Sequence, residues 1–563
     1  MRHIRKIVGG LLTAALFLFL LCACAGKERQ ENIVILYTND VHCAADENIG
    51  YAGLAAYKKQ MEKKTPYVAL VDCGDAIQGG TIGLLSKGEY PVQMMNRVGY
   101  DFAVLGNHEF DYGMERLASL LEMAQATYLD CNIRYTGDGE NALAAVEPYK
   151  IVSYGDTEVA FIGVCTPENI TSSSPSYFCD ESGAFVYDFY GGDGGEAFYR
   201  QIQETVDECR GKGADYVIML AHLGTDERSA PFRSTDLIGQ TEGVDAVLDG
   251  HSHSVIPCQV MKNKKGEEVL LSSTGTELSH IGQLVITPDG MMTAGLLTYT
   301  EKDAETEAYI AEIKASFASD MQKVVGQSEV SLSISSEKGI RMVRNRETAI
   351  GDFCADAYRV VSGADAAIVN GGGIRADLPV GEITYEDILA VYPYGNTLCV
   401  VEASGQDILD ALEVANREVQ KETDDGENPV GENGGFLQVS GVRFVVDTSV
   451  PTTVQMDENG MFVSCGENRR VKEVEILQKD GSYAAIDPQG TYTLASQNYL
   501  LKQGGDGLNL FTDHEFLNDE GTPDYQVLID YINGSLNGVI GREYESVQGR
   551  IMVYPISTHE REE

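Results

Sequence analysis

Tryptophan is absent from this 563-residue sequence and basic residues are scarce, since 42 Lys and Arg stand against 86 Asp and Glu, a formal net charge of −44. Any aromatic binding platform must therefore consist of Tyr or Phe. Binding of a nucleic-acid polymer is disfavoured, because neutralising its phosphates requires clustered Lys and Arg. Small phosphorylated molecules stay open as substrates, because metal ions or a few arginines meet their charge locally.

Several common sequence patterns are also missing. None of the 12 cysteines forms a CxxC pair, so a zinc ribbon or a thioredoxin-like site has no support. The sequence contains neither a G-x-S-x-G nucleophile motif nor a P-loop. Buried free thiols are the favoured interpretation of the cysteines; export would permit disulfides, although the sequence does not pair them. No protein partner is indicated.

Only one apolar run is long enough to concern a membrane, and it lies near the start of the sequence. Residues 7–21 lack charge and follow Arg2, Arg5 and Lys6, a pattern typical of a secretory signal peptide rather than a spanning helix. The sequence around Cys24 resembles a bacterial lipobox, with an ordinary cleaved signal peptide as the alternative. We expect a signal peptide over 1–23, a lipid anchor at Cys24, a tether over 24–31, and a protein held at the cell membrane facing outside the cytoplasm.

Apolar runs suited to buried strands alternate with helix-like stretches up to about residue 300, which predicts an α/β domain over 32–300. Residues 303–325 are rich in Ala and Glu and lack Gly and Pro, so we expect one long helix inside a linker over 301–327. A second α/β domain is predicted over 328–555, with a tail over 556–563. The acidic, Gly-rich stretch 421–435 is predicted to be a surface loop.

Five short polar segments each follow an apolar run of the first half. They are Asn39-Asp40-Val41-His42, Gly74-Asp75, Gly106-Asn107-His108-Glu109 with Asp111 beyond, Ala221-His222 and Asp249-Gly250-His251-Ser252-His253. Strand ends of an open α/β sheet share one edge, where ligand sites form. The pattern therefore predicts that these side chains lie together although they span more than 200 residues of sequence.

The chemistry of these segments is that of a metal site. Five of the nine histidines of the sequence fall in them. Imidazole, carboxylate and amide groups suit borderline divalent metals such as Zn or Mn. A single Asp or His at a strand end is usually a cap or a surface residue, but five such segments in this order favour a metal centre.

The series Asp-x-His, Gly-Asp, Gly-Asn-His-Glu, His and Gly-His-x-His resembles the calcineurin-like metallophosphoesterase family. The segments GNHEFD (106–111) and DGHSH (249–253) are similar to its 5′-nucleotidase branch. The resemblance implies two divalent metal ions, one held by Asp40, His42, Asp75 and His253. It implies a second held by Asp75, Asn107, His222 and His251, with Asp75 bridging. Metal-activated water would then attack phosphorus, with His108 at the leaving oxygen and Asp111 orienting it.

The second half carries a Gly-rich turn and separated tyrosines. Asn370-Gly371-Gly372-Gly373-Ile374-Arg375 follows an apolar run, and Tyr392-Pro393-Tyr394-Gly395-Asn396, Asn498-Tyr499 and Gly504-Gly505-Asp506-Gly507 lie downstream. Glycine lets backbone approach a ligand, Arg offers a fork for phosphate, and two tyrosines suit a base sandwich.

These elements resemble the C-terminal substrate domain of 5′-nucleotidases, so that the resemblance covers about residues 31–555 in a two-domain, lipoprotein form. It implies substrate contacts from Asn370, phosphate contacts from Arg344 and Arg375, with Arg341 as a further candidate, base stacking by Tyr394 and Tyr499, a base contact from Asn396 and ribose binding by Asp506. Two features depart from the family. Both stacking residues are Tyr where Phe is common, and the stretch after Tyr499 is one residue longer than usual.

The sequence thus predicts a metal-dependent phosphoric monoester hydrolase that releases phosphate from extracellular nucleotides, with UDP-sugars and nucleoside di- and triphosphates as further substrates. The alternative is a 2′,3′-cyclic-nucleotide phosphodiesterase with 3′-nucleotidase activity, and a non-catalytic nucleotide-binding lipoprotein is the remaining hypothesis. Because the predicted metal and nucleotide residues belong to different domains, catalysis should require the domains to close around a hinge near 303–325.

Overall fold

The structure is a computed structural model that describes residue 29 and residues 31–180, 182–420, 432–519 and 521–554. The predicted signal peptide 1–23, the lipidation site Cys24, most of the tether over 24–31, most of the acidic loop and the tail over 556–563 lie outside the described residues.

Two six-stranded sheets form the centre of the N-terminal domain. Its strands are β1 (Ile33–Thr38), β2 (Val68–Asp72), β3 (Phe102–Val104), β4 (Thr127–Leu129), β5 (Arg134–Tyr135), β6 (Tyr149–Tyr154), β7 (Thr157–Cys165), β8 (Tyr187–Asp188), β9 (Tyr216–His222), β10 (Ala246–Asp249), β11 (Val255–Lys262), β12 (Glu268–Thr274), β13 (Ile281–Ile286) and β14 (Met292–Leu297). One sheet has the order β14-β13-β1-β2-β3-β4 and the other β11-β12-β10-β9-β7-β6. The strands that carry the polar segments pair in parallel, as β1 does with β2 and β9 with β10, so their carboxyl ends lie at one edge of each sheet.

The two sheets pack face to face and helices cover their outer faces. Ile35, Val71, Phe161, Leu220 and Leu248 are buried between the sheets, and separate apolar clusters lie under the helices of each outer face. The helices of this domain are α1 (Gly50–Glu62), α2 (Thr81–Ser86), α3 (Glu89–Val98), α4 (Met114–Met123), α5 (Asn169–Ser172), α6 (Glu196–Gly211) and α7 (Ser234–Gln240). Because strands with two buried faces are near-continuously apolar, the apolar runs of the sequence identified them.

Helix α8 (Ala304–Met321) follows the N-terminal domain and lies inside the stretch predicted to be helical. Asp303 caps its first turn, accepting a hydrogen bond from the backbone of Thr306. The helix is bonded to the N-terminal domain, since the hydroxyl of Tyr309 donates to Gln93 and the ammonium of Lys314 pairs with Asp46. The hinge expected near 303–325 stays a prediction.

The C-terminal domain is a second α/β unit, built on a five-stranded sheet of order β19-β16-β25-β18-β26. Its strands are β15 (Val324–Ser328), β16 (Ala366–Asn370), β17 (Gly381–Thr384), β18 (Leu398–Ser404), β19 (Leu437–Ser440), β20 (Val442–Asp447), β21 (Gln455–Met456), β22 (Phe462–Ser464), β23 (Val471–Leu477), β24 (Tyr483–Ala485), β25 (Thr491–Gln497), β26 (Phe516–Asn518), β27 (Val539–Ile540) and β28 (Ile551–Tyr554). Its helices are α9 (Ala349–Ser362), α10 (Tyr385–Val391), α11 (Gly405–Ala415), α12 (Asn498–Leu501) and α13 (Asp524–Asp530). The predicted α/β class with two domains is confirmed.

Ten cysteines lie in the described part of the chain, and all ten are free thiols. Seven of them are buried, as the sequence interpretation expected, whereas Cys258 on strand β11 is exposed. Among the described residues, no helix combines the length and the apolar composition needed to cross a bilayer.

Candidate active site

The polar segments that follow β1, β2, β3, β9 and β10 meet at one rim of the sandwich. Two overlapping groups place their ligand atoms within 4.8 Å of one another: Asp40, His42 and His253, and Asp40, Asp75 and His222. The two remaining predicted ligands are adjacent to each other, with Nδ1 of His251 3.0 Å from Oδ1 of Asn107. The structure thus brings together all seven residues predicted as metal ligands.

The position of Asp40 is more central than the resemblance implied, because its carboxylate belongs to both groups. Asp75 also reaches both, since its Oδ2 is 3.2 Å from Nε2 of His222 and 3.9 Å from Nε2 of His42. The division of ligands between two ions, with Asp75 bridging, remains a prediction.

Two imidazoles are oriented by backbone carbonyls. Nδ1 of His42 lies 2.9 Å from the carbonyl oxygen of Gln78, and Nδ1 of His222 lies 2.7 Å from that of Cys73. When Nδ1 carries the proton and donates to the carbonyl, Nε2 is left as the electron-pair donor that faces the cluster. Such outer partners fix the tautomer that a metal ligand needs.

His251 is oriented the opposite way. Its Nε2 lies 3.1 Å from Oε2 of Glu168, so Nδ1, beside Asn107, is the nitrogen left for a metal. The same carboxylate oxygen of Glu168 accepts a hydrogen bond from Ser229. The sequence analysis missed Glu168, although its place three residues beyond the end of β7 follows the same strand-end rule as the predicted ligands.

Glu109 is a second carboxylate that the sequence analysis did not assign. It is buried and accepts hydrogen bonds from the backbone N–H groups of Asp75, Ala76 and Gly106 at 2.7–2.8 Å. Glu109 therefore fixes the loop that carries Asp75, and its position inside the GNHEFD segment was the available signal.

The backbone of the rim is strained where it presents these side chains. Asp40, His42, Asp75, His251 and His253 all have left-handed conformations, with φ between 48° and 74°. Non-glycine residues adopt this region uncommonly and at a cost, and such residues cluster at functional sites. Their concentration on five predicted ligands indicates that the fold holds these side chains in a set arrangement.

Glycine is required beside the cluster at position 106. A Cβ atom built on Gly106 would lie 2.2 Å from Oδ1 of Asp75 and 2.7 Å from its backbone nitrogen. Since real Cβ atoms do not approach this closely, any side chain at 106 would displace the Asp75 carboxylate.

The donor set of the rim fits divalent cations. Asp40 and Asp75 are almost fully buried, and burial, with the neighbouring charge of Asp75, raises the pKa of Asp40 to about 7. Nε2 of His222 is buried without a hydrogen-bond partner, although it lies close to Asp75. Buried carboxylates that converge with an imidazole nitrogen lacking a hydrogen-bond partner are an arrangement that a cation stabilises.

His108 and Asp111 form the predicted dyad at the edge of this cluster. Nδ1 of His108 is 2.7 Å from Oδ2 of Asp111. Burial by itself would lower the pKa of His108, but the carboxylates of Asp111 and Asp75 outweigh it and hold that pKa above its ordinary value. The ring centroid of His108 lies 5.7 Å from that of Tyr394 in the C-terminal domain, so the dyad faces the other domain.

A cleft of about 390 Å³ separates the rim from the C-terminal domain. Both domains supply predicted residues to its lining: Asp75, Asn107, His108, Asp111, His251 and His253 from the first, and Arg341, Arg344, Asn370, Arg375, Tyr394, Asn396, Tyr499 and Asp506 from the second. The structure therefore brings all the predicted substrate residues to one cavity with the dyad. Lys87, Tyr177, Arg417 and Asn433 also line it and had no motif to mark them.

Inside the cleft, hydrogen bonds fix the predicted ribose-binding carboxylate. The side-chain amide of Asn370 donates to Oδ2 of Asp506 at 2.9 Å. Burial, partly offset by the charge of Arg417, raises the pKa of Asp506 to about 6. Arg341 is held by an ion pair, because a carboxylate oxygen of Glu432 lies 2.7 Å from its guanidinium.

Two family models match the chain. The model described as the 5′-nucleotidase C-terminal domain matches residues 324–513, and the model described as a bacterial capsule synthesis protein matches residues 65–272. The first match lies within the C-terminal domain and includes the arginines and tyrosines of the cleft.

Similar proteins share both domains. The chain is 26% identical to the trifunctional nucleotide phosphoesterase YfkN of Bacillus subtilis over 95% of its own length, but spans only 36% of that protein. It is 27% identical to the 5′-nucleotidase of Bos taurus, covering 93% of this chain and 91% of that one. The crystal structure of a 5′-nucleotidase precursor from Thermus thermophilus superposes with a TM-score of 0.75 at 26% identity, covering 93% of this chain and 100% of the other.

A two-domain α/β fold with a carboxylate–imidazole cluster at the domain cleft defines this protein as a metal-dependent phosphoester hydrolase. The match to the 5′-nucleotidase C-terminal domain model and the relatives named 5′-nucleotidases confirm the resemblance read from the sequence. The lipoprotein form, the roles of individual site residues and the domain limits stay predictions.

Proposed function

We propose that the chain releases inorganic phosphate from nucleoside 5′-monophosphates, with two divalent metal ions such as Zn or Mn at the rim. One observation carries the proposal: a single cleft is lined by residues of the carboxylate–imidazole cluster, by arginines and by two tyrosines. A phosphate alone would not need the tyrosines, and a nucleoside alone would not need the cluster. A nucleotide uses both.

Two cations bound by Asp40, His42, Asp75, Asn107, His222, His251 and His253 would polarise the phosphoryl oxygens and lower the pKa of water. The chain's own residues do the rest. Arg344 and Arg375 fix the phosphate by charge-assisted hydrogen bonds. His108 keeps Nδ1 on Asp111, which leaves its Nε2 to hold a proton at the leaving oxygen or to stabilise charge there.

The nucleoside end of the substrate would be held by the C-terminal domain. Tyr394 and Tyr499 offer ring faces on which any base stacks, worth about 1–3 kcal/mol per base. Asp506 accepts hydrogen bonds from ribose hydroxyls as a carboxylate, oriented by Asn370, and Asn396 supplies a polar contact to the base. Stacking tolerates every base, so we propose a broad base range, with UDP-sugars and nucleoside di- and triphosphates as additional substrates.

The proposal is tested by phosphate release from a panel of compounds, with Mn or Zn and with EDTA. The panel holds AMP, ATP, UDP-glucose, 3′-AMP and 2′,3′-cyclic AMP. We expect EDTA-sensitive release from AMP. Release from 3′-AMP and the cyclic nucleotide only would assign the chain to the cyclic-nucleotide phosphodiesterase alternative. Binding of metal and nucleotide with no release from any compound would identify a binding protein.

We further propose that the protein is exported and held at the membrane by a lipid on Cys24, on the strength of the apolar run over 7–21 and the sequence Leu21-Cys22-Ala23-Cys24. Cys24→Ala should move the protein from the membrane fraction to the soluble fraction of cells. Cys22→Ala is the matched control and should leave it in the membrane. If the two variants were distributed alike between the membrane and soluble fractions, the lipid anchor at Cys24 would be refuted.

A further inference from the structure

One short segment of the N-terminal domain contacts both ends of the cleft. Residues 166–174 follow strand β7 and include the short helix α5 (Asn169–Ser172). Near its start the segment carries Glu168, whose carboxylate lies 3.1 Å from Nε2 of His251. We call residues 166–174 the strap.

The other end of the strap is bonded to the C-terminal domain. The hydroxyl of Tyr499 donates to the backbone carbonyl of Thr171 at 2.9 Å, and the hydroxyl of Ser174 donates to Oε1 of Gln503 at 2.7 Å. The contact is also tight sterically, because a Cβ atom built on Gly460 would lie 2.9 Å from Cγ2 of Thr171. These bonds join residues 328 and 329 positions apart in the sequence, and they exist only while the two domains lie against each other.

The hydroxyl of Tyr499 has a second partner on its own domain. Its oxygen accepts a hydrogen bond from the backbone N–H of Asp506 at 3.1 Å. A phenol hydroxyl donates once and also accepts, so this group uses both capacities. It thereby links the loop that carries Asp506 to the strap, and phenylalanine at this position would stack on a base without making either bond.

We propose that the strap transmits domain closure to the metal centre. The hydroxyl of Tyr499 would bind the strap to the C-terminal domain, and Glu168 would be the positioning residue of His251. When the C-terminal domain closes over a nucleoside, the hydrogen bond from Tyr499 fixes Thr171, and the short strap fixes Glu168 three residues earlier. Glu168 then holds the ring of His251 with Nδ1 toward Asn107. The inference rests on the proposed function of the cleft, since it assigns the nucleoside to the tyrosines.

The test uses the full chain loaded with zinc and saturated with adenosine, which offers a base and a ribose but no phosphate. Two rates are measured: hydrogen exchange of peptides covering 166–174, and zinc release to a chromogenic chelator. Adenosine should slow both in the unaltered protein. In Tyr499→Phe the stacking ring is kept, and we expect the strap exchange and the zinc release of the adenosine-saturated protein to be faster by about 3- to 10-fold, the worth of the one lost hydrogen bond that crosses between the domains. Tyr216→Phe is the matched control, because the hydroxyl of Tyr216 also donates to a backbone carbonyl, that of Gly290, but within one domain. It should change neither rate.

The double variant with Glu168→Gln tests the path through the strap. Glu168→Gln alone should accelerate zinc release, because the carboxylate that orients His251 is lost. If the strap carries the coupling, adding Tyr499→Phe to Glu168→Gln produces no further acceleration of release, although it still speeds exchange of the strap. Two effects that multiply independently, or a Tyr499→Phe protein with unchanged exchange and release, would overturn the inference. Neither rate involves hydrolysis, so a failure of the proposed phosphatase activity would be seen separately.

Discussion

The Nδ1 atom of His108 lies 2.7 Å from Oδ2 of Asp111, and both side chains border the cleft. The pair sits beside the carboxylate–imidazole cluster rather than inside it. Neither side chain belongs to the groups that could hold a metal ion. This separation makes the dyad testable apart from metal binding.

His108→Ala should lower kcat for AMP by about 10²- to 10⁴-fold, the usual contribution of a positioned acid or base. Metal content, measured by mass spectrometry of the purified protein, should stay near that of the unaltered protein. Asp111→Asn should reduce kcat less, because the imidazole remains. Undiminished turnover in His108→Ala would remove this residue from the mechanism, and loss of metal would reassign it to the cluster.

Gly106→Ala should abolish phosphate release and reduce bound metal, because the added Cβ would lie 2.2 Å from Oδ1 of Asp75. Gly239→Ala is the matched control. Gly239 lies in helix α7 and a Cβ atom there would meet no atom within 4 Å. The Gly239→Ala variant should keep its activity and metal content. Normal metal content in Gly106→Ala would contradict the placement of Asp75.

Tyr394→Ala should raise KM for AMP by about 5- to 100-fold through the loss of base stacking. p-Nitrophenyl phosphate has no base, so its KM should change little in the same variant. Steady-state kinetics with both substrates give the comparison. Equal losses for the two would mean that Tyr394 acts on the phosphate end, near His108 and Arg375, which it also approaches.

Asp506 should make nucleoside binding pH-dependent. Burial raises its pKa to about 6, so the carboxylate accepts ribose hydrogen bonds above that pH and becomes protonated below it. The KM for AMP relative to 2′,3′-dideoxy-AMP should therefore rise as pH falls from 7 to 5. Asp506→Asn should remove this pH dependence. A KM ratio that does not change with pH in the unaltered protein would contradict ribose binding by Asp506.

The raised pKa of Asp506 also determines how this residue changes the stability of the fold with pH. A raised pKa means that the folded state favours protonated Asp506, so the folding free energy that it contributes is lost as pH rises from about 4 to about 6. Nucleoside binding by Asp506 is thus favoured at the upper end of this pH range, and its contribution to the stability of the fold is favoured at the lower end.

The sequence predicted that the polar segments meet at one rim because strand ends follow a simple rule. Asp40, Asp75 and His222 each come at or just after an apolar run that the sheets bury, and sheet geometry then brings them to one edge. Glu168 obeys the same rule but was missed, since no second motif residue accompanies it.

Contacts between the two domains could not be predicted from the sequence. The bond from Tyr499 to Thr171 joins residues 328 positions apart, and no local pattern encodes it. Helix α8 shows the same limit. Its composition predicted a helix, but its attachment to the N-terminal domain depends on tertiary contacts, such as the hydrogen bond from Tyr309 to helix α3.

The left-handed backbone at the rim has a thermodynamic consequence. Each such conformation costs on the order of 1–2 kcal/mol, and five predicted ligands share it. Cations that bind only the folded rim would offset this cost by mass action. Loss of the metal would then lower the free energy of unfolding as well as the activity, so that the supply of divalent metal would govern the lifetime of the folded enzyme and not only its turnover.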